Sequence, residues 1–263
     1  MIKDTFFSLS RFNLLLKKDI MENWKSYVLR ILLIFGIIFI ALSWNGYFAY
    51  KTSRMYDPSH VFTAGVFMVS LFIFGSLSAS YIMEKMKSKT DRISYLMIPA
   101  TAFEKYFMRW LIYTIVFLGI YFLMFKMADC TKTFIFRIIY PENTNIEPFS
   151  FSYITSTTFK EKDELLIFIG FYILNQSTYV LGSILWPKNS FLKTFAANII
   201  IIFVYGIVAT YSFHLFFVNK TVEVGFISDP SELWLFIPSI VLGVTFWIIA
   251  YYRFKESEII NRI

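Results

Sequence analysis

Between Lys193 and Lys220 lie 26 residues without a single Asp, Glu, Lys or Arg. That exceeds the ~18 apolar residues that mark a membrane helix, and the chain holds further runs like it. Residues 31–50 carry no charge between Arg30 and Lys51, and residues 61–83 carry none between His60 and Glu84. The run at 165–186 ends at Pro187, and the one at 233–252 contains Pro238, which membrane helices tolerate. A shorter run at 111–125 can begin earlier, near Ala102. In lipid every backbone polar group must be paired within the chain, which leaves helices or closed barrels. None of the runs alternates polar with apolar, so a barrel is not expected. The expectation is an all-α polytopic membrane protein, a single transmembrane domain over 1–263. Its six spans fall near 31–50, 61–83, 104–125, 165–186, 194–218 and 233–252. Composition agrees, because 16% of residues are charged where a soluble domain carries about 25%.

Charge orients the bundle. With the N-terminus inside, the inner segments are 1–30, 84–110, 187–193 and 253–263. They hold 17 of the 25 Lys and Arg but only 8 of the 18 Asp and Glu. The positive-inside rule then puts both termini in the cytoplasm and the chain in the cytoplasmic (inner) membrane. Anionic lipid and topology account for the basic excess, so no nucleic-acid partner is expected. No small-residue cleavage site follows the run after Arg30, so that run is read as the first span and not as a cleaved leader. Upstream, Phe6, Leu9, Phe12, Leu16, Ile20 and Trp24 recur at helical spacing among Lys17, Lys18, Asp19, Glu22 and Lys25. This pattern predicts an amphipathic helix over 5–27, lying in the inner interface before the first span. Residues 126–164, with the apolar patch FIFRIIY at 134–140, are expected outside, as a small cap or as a loop.

Motifs for chemistry are missing. No phosphate-binding loop, HExxH pair or GxSxG elbow occurs, so ATP binding, zinc hydrolysis and a serine nucleophile are not expected of this chain. The one cysteine, Cys130, is read as a passive thiol. No catalytic, cofactor-binding or metal-ligating residue is assigned. Acid–base groups for an intramembrane enzyme reduce to Glu84, Glu104, His60 and His214, which the topology divides between opposite sides. No span carries a charge at its middle, which counts against a proton-coupled carrier. Ser76, Ser78, Ser80, Asn175, Gln176 and Asn198 do interrupt the spans. They are read either as hydrogen bonds between helices or as the lining of a translocation path.

The segment RISYLMIPATAFEKYFMRWL, residues 92–111, is more specific. Thr101 and Glu104 match a capping box, so a helix should start there. Pro99 biases Ile98 towards extended geometry and separates this helix from what precedes it. Phe103, Phe107, Trp110 and Leu111 form an apolar stripe, with Glu104, Lys105 and Arg109 off it. Before the break, Lys85, Lys87, Lys89, Asp91 and Arg92 lead into Ile93, Tyr95, Leu96 and Met97. Apolar anchors with a charged rim are what protein interfaces use, so this knob reads as a docking element for a cytosolic partner.

Six spans, internal termini, an interfacial N-terminal helix and this connection resemble the membrane subunit of type 2 ABC exporters, the ABC-2 permeases. The stretch YLMIPATAFEKYFMRWL (95–111) and the tail YYRFKESEII (251–260) are similar to segments of small permease-like proteins of Bacteroidota. The resemblance implies a homodimer, or a pair with a sister permease, above two cytosolic ATPase subunits that hold ATP and Mg. Residues 88–97 would be the coupling helix, with Lys89, Asp91, Arg92, Ile93, Tyr95, Leu96 and Met97 seated in the ATPase. Pro99 and the capped start at Thr101, Glu104 and Lys105 would form the joint that transmits its motion. In one respect the layout departs from the family. Such permeases often carry re-entrant helices between spans five and six, where residues 219–232 are short, and here the larger outer segment falls between spans three and four. A non-transporting membrane anchor that recruits a cytosolic protein is the other reading of the same knob.

Overall fold

Apolar runs of this length form helices because nothing else pairs their backbones in lipid. The structure, a computed structural model, describes residues 6–51, 59–141, 146–159, 162–217 and 233–260. Residues 219–232, and the His214 side chain, lie outside that description. The elements are α1 (Leu9–Lys51), α2 (Ser59–Ser80), a 3₁₀ turn at Glu84–Met86, α3 (Lys89–Leu96) and α4 (Ala102–Leu111). A π-helical segment, Ile112–Val116, joins α4 to α5 (Phe117–Ile139). The short α6 (Phe151–Tyr153) leads through a second π turn to α7 (Lys162–Leu185), α8 (Ser190–Phe217) and α9 (Leu233–Ile260). Among the described residues, six helices are long and apolar enough to cross a membrane, and each overlaps one expected span, α2 stopping at Ser80 short of the expected 83.

Two boundaries differ from expectation, for one reason. The interfacial helix expected over 5–27 and the first span are a single uninterrupted 43-residue helix, α1. Likewise the third span does not end at 125, because α5 runs on to Ile139 through Lys126, Asp129 and Lys132. In both cases the charges mark where the apolar run ends and not where the helix does. Along α5, Asp129 and Lys132 are buried, and Lys126 and Arg137 are tied to the segment that follows. Lys126 Nζ donates to the Phe149 carbonyl, Phe149 N donates to Asp129 Oδ2 at 2.7 Å, and Arg137 Nε donates to the Ile146 carbonyl at 2.8 Å. Asp129 also pairs with Lys132 at 2.9 Å, one helical turn on. These bonds fold the segment after α5 back onto the bundle, where Ile146, Phe149 and Ile154 are buried. The part of 126–164 that is described is therefore packed, half as an extension of α5.

The core has two apolar halves. Towards α6, α1, α2 and α5 enclose Ile38, Leu42, Phe67, Leu71, Tyr121 and Phe125. Towards α3, Ile82, Met83, Tyr95, Tyr106, Val180 and Phe254 pack together. α7 lies at the centre, against α2, α8 and α9, while α1 runs along α5. The turn from α7 into α8 is tight. A methyl group at Gly182 would overlap the Thr194 hydroxyl and lie 2.8 Å from its Cβ, so only glycine lets the two helices approach this closely. Asn189, in that turn, takes a left-handed φ of 59°, a conformation Asn adopts more readily than most residues.

Polar layers bound the apolar slab. Along the continuous α4–α5 helix, buried Arg109 on the α3 side and Lys126 on the α6 side are 17 residues apart, about 26 Å at 1.5 Å per residue. That approaches the ~30 Å thickness of a bilayer's hydrocarbon core. The start of α1 meets α4, and the last turns of α9 meet both α3 and α4. Phe6 stacks near Phe103 with ring centroids 4.7 Å apart, and Tyr95 faces Phe254 at 6.4 Å. Both ends of the described chain therefore sit on the α3 side.

Candidate functional site

The α2–α4 connection is built as a rigid unit. Ser88 caps α3, its hydroxyl accepting the Asp91 N–H at 3.1 Å, and Arg92 donates twice to the Met86 carbonyl, at 3.1 and 3.3 Å. After the break at Pro99, the capping box is present. Glu104 N donates to Thr101 Oγ1 at 3.2 Å, and Thr101 N donates to Glu104 Oε2 at 3.0 Å. Two further bonds bolt α3 to α4. The Tyr95 hydroxyl donates to the Lys105 carbonyl at 3.1 Å, and Lys105 Nζ donates to the Leu96 carbonyl at 3.0 Å, at the orphaned end of α3. Glu104 ties in α1 as well, accepting Ser8 N at 2.7 Å and Arg11 Nη2 at 3.1 Å.

This geometry divides the expected docking residues. Lys89, Asp91, Ile93, Met97 and Pro99 are exposed, Met97 at 79%, and Arg92, Leu96 and Thr101 are half-buried. Tyr95, Glu104 and Lys105 are buried, at 3% exposure or less. Those three cannot be anchors for a partner, and their side chains hold the joint between α3, α4 and α1. Tyr95 turns inward because its ring fills the space against Phe254 and Tyr106 while its hydroxyl finds a carbonyl. What α3 presents outwards is Ile93 and Met97 inside a rim of Lys89 and Asp91. Beside it lies a groove of about 340 Å³, lined by Met83, Met86, Arg92, Arg253 and Glu256 among others.

A second polar cluster was not legible in the sequence. Asp19, 4% exposed, lies on α1 and receives the Tyr27 hydroxyl at 2.5 Å and Asn23 Nδ2 at 3.0 Å. Arg109 Nη2 of α4 approaches it to 3.1 Å, and Lys85 of the 3₁₀ turn to 3.6 Å. Lys85 also reaches Glu22 at 2.8 Å, and Arg30 pairs with Glu84 at 2.6 Å. Arg109 is 2% exposed and lies over the rings of Tyr95 and Tyr113, 5.6 and 5.8 Å from their centroids. Desolvating such charges is costly, and mutual pairing offsets the cost. On α4 the side off the aromatic stripe is therefore the buried one, and Phe103, Phe107 and Trp110 are only half-buried. The same inversion holds on α1. Leu9, Ile20 and Trp24 of its apolar set are 66%, 45% and 53% exposed, and Asp19 points inward. No sequence pattern pairs residues 90 positions apart, but an Arg within an apolar helix is a signal that a buried carboxylate is near.

The polar residues within the spans are not gathered on one path. Asn175 Nδ2 donates to Ser76 Oγ at 2.7 Å, and Ser78 Oγ donates to the Tyr113 carbonyl at 2.8 Å, linking α7 and the π segment to α2. Ser80 bonds back to the Ser76 carbonyl, and Asn198 of α8 bonds Thr178 of α7 at 3.3 Å. Such bonds between membrane helices contribute about 0.6 kcal/mol each. Gln176 differs, being buried against an apolar cavity. His60 stacks near Tyr153 at the α6 end of α2, 24 residues or about 36 Å from Glu84. Among the described residues, no three His, Cys, Asp or Glu side chains converge as metal ligands would. No protein-family model matches this chain, and no curated protein or solved structure matches it.

Proposed function

We propose that the chain is the membrane permease subunit of an ATP-driven exporter, working with a separate cytosolic ATPase that docks on α3. The observation that carries this reading is the build of α3. It is an eight-residue helix between two membrane helices, with Ile93 and Met97 outward and its inner face bolted by Tyr95 and Lys105 to α4. A load applied to α3 would pass through those bonds into α4 and, through Glu104 and Arg11, into α1. The groove beside α3 gives a partner a second point of purchase. The Lys and Arg excess of the segments on this side favours the cytoplasm for it. ATP and Mg would be held by the partner, and two copies, or this chain and a sister permease, would frame the path between them.

The anchor reading has one observation of its own. Ser76, Ser78, Ser80, Asn175 and Asn198 are all engaged in hydrogen bonds within the bundle, the role they would have in a protein that transports nothing. Affinity purification in mild detergent separates the cases. The permease reading expects a co-purifying protein that hydrolyses ATP and is lost from the Ile93→Asp, Met97→Asp double variant. Retention of that protein by the variant would remove α3 as the dock, and a partner without ATPase activity would favour the anchor.

A further inference from the structure

An α-helix bonds each N–H to the carbonyl four residues back. Along the α4–α5 helix that ladder slips at Ile112–Val116. Phe117 N–H bonds the carbonyls of Ile112 and Thr114, five and three residues back, and not that of Tyr113, four back. A π slip of this kind places one extra residue in the turn and frees one carbonyl from the ladder. The freed carbonyl, that of Tyr113, finds its donor on another helix. Ser78 Oγ of α2 donates to it at 2.8 Å, and both residues are buried.

That bond sets a balance between two backbone registers. If the slip closed, Phe117 N–H would satisfy the Tyr113 carbonyl and Ser78 would lose its acceptor. The extra residue cannot leave the chain, so closing the slip here moves it to a neighbouring turn. Residues that it passes then rotate by about 100° around the helix axis, one residue's share of a turn. While Ser78 donates to Tyr113, the slip stays where it is.

The helix is fastened on both sides of the slip. Below it, α4 is tied to α3 through Lys105 and to the first turns of α1 through Glu104. Above it, α5 is tied to α2, where the Tyr121 hydroxyl donates to the Phe67 carbonyl at 2.7 Å. The slip itself has room on its other flank. Ile115 and Val116 are exposed, and Thr114, Ile115 and Leu118 border a cavity of about 520 Å³. Thr114 Oγ1 donates back to the Trp110 carbonyl, a bond of the kind that bends helices, and sharp kinks in long helices fall at π slips. We propose that Ile112–Val116 is a hinge in the third span, latched by the Ser78 hydroxyl, about which α4 moves relative to α5. Being bolted to α4, α3 moves with it. The hinge belongs to this chain and does not depend on what docks on α3.

The test uses the full chain in nanodiscs of phosphatidylethanolamine and phosphatidylglycerol. Spin labels sit on Cys130 of α5 and on a cysteine replacing the exposed Met97 after α3, so that the pair spans the hinge. Double electron–electron resonance reads their distance distribution, and one dominant distance is expected with Ser78 in place. Ser78→Ala should raise the population at other distances roughly fivefold, the effect of one lost hydrogen bond. Ser78→Thr, which keeps the hydroxyl, should leave the distribution as it was. Deleting Ile115 removes the extra residue and keeps α4 and α5 in phase, so adding this deletion to Ser78→Ala should restore one dominant distance. A Ser78→Ala distribution equal to that with Ser78, or a Ser78→Thr distribution as broad as that of Ser78→Ala, would overturn the latch. Broadening that survives the deletion in a folded chain would overturn the hinge. The comparison of Ala with Thr decides for or against the latch even where the shortened chain does not fold.

Discussion

Glu104 offers the sharpest energetic test of the joint. Its carboxylate is fully buried and accepts two backbone N–H groups, from Thr101 at 3.0 Å and Ser8 at 2.7 Å, as well as Arg11 at 3.1 Å. Glu104→Ala removes the capping box and leaves both N–H groups without an acceptor. Each orphan costs about 1–3 kcal/mol, and because they share one site the effects overlap, giving a total near 3 kcal/mol. For a chain of this length 1 kcal/mol moves Tm by about 2–4 °C, so the variant should melt about 6–12 °C lower. Glu104→Gln keeps one acceptor oxygen and should lose roughly half as much. Arg11→Ala removes only the ion pair, whose Arg side chain is 30% exposed, and should cost less than about 1 kcal/mol. Intrinsic tryptophan fluorescence of the purified chain in detergent reads all three. The expected order is Ala, then Gln, then Arg11→Ala. A Glu104→Ala variant melting within 2 °C of the parent, roughly 1 kcal/mol or less, would refute the reasoning.

Two other expectations follow from the polar layers. Arg109→Met takes from Asp19 its closer cation and leaves Lys85 at 3.6 Å, so it should cost about 3 kcal/mol, the low end for a broken buried pair, whereas the double variant Asp19→Asn, Arg109→Met should recover much of it. Equal melting points for single and double variants would mean that the pair is not coupled. Cys130, exposed one turn beyond Lys126, reports orientation. A membrane-impermeant maleimide added to spheroplasts should label it if the α6 side is external, and labelling only after permeabilisation would reverse the proposed orientation.

The fold was legible where one residue type decides the outcome. Long uncharged runs located all six membrane helices, and Thr101-x-x-Glu104 located the start of α4. Ends of helices were harder to read, because Arg30 and Lys126 stop an apolar run without stopping a helix. Facing was read least well. In water an apolar stripe turns to the core, but in lipid the driving force between apolar surfaces is absent and polar groups seek one another. That is why Arg109 and Asp19 lie inside while Trp24 and Leu9 lie outside. It is also why Tyr95, read as a docking anchor, is instead a bolt: its hydroxyl reaches the Lys105 carbonyl, a contact that no local pattern announces.

The central claim is that α3 is where an ATPase meets this chain. A photo-crosslinking amino acid placed at Met97, with a control at Ile138 on the α6 side, tests it in intact membranes. Position 97 should capture a protein which, once purified, hydrolyses ATP, and position 138 should not. Capture of that ATPase from position 138, or of only non-hydrolysing proteins from position 97, would contradict it.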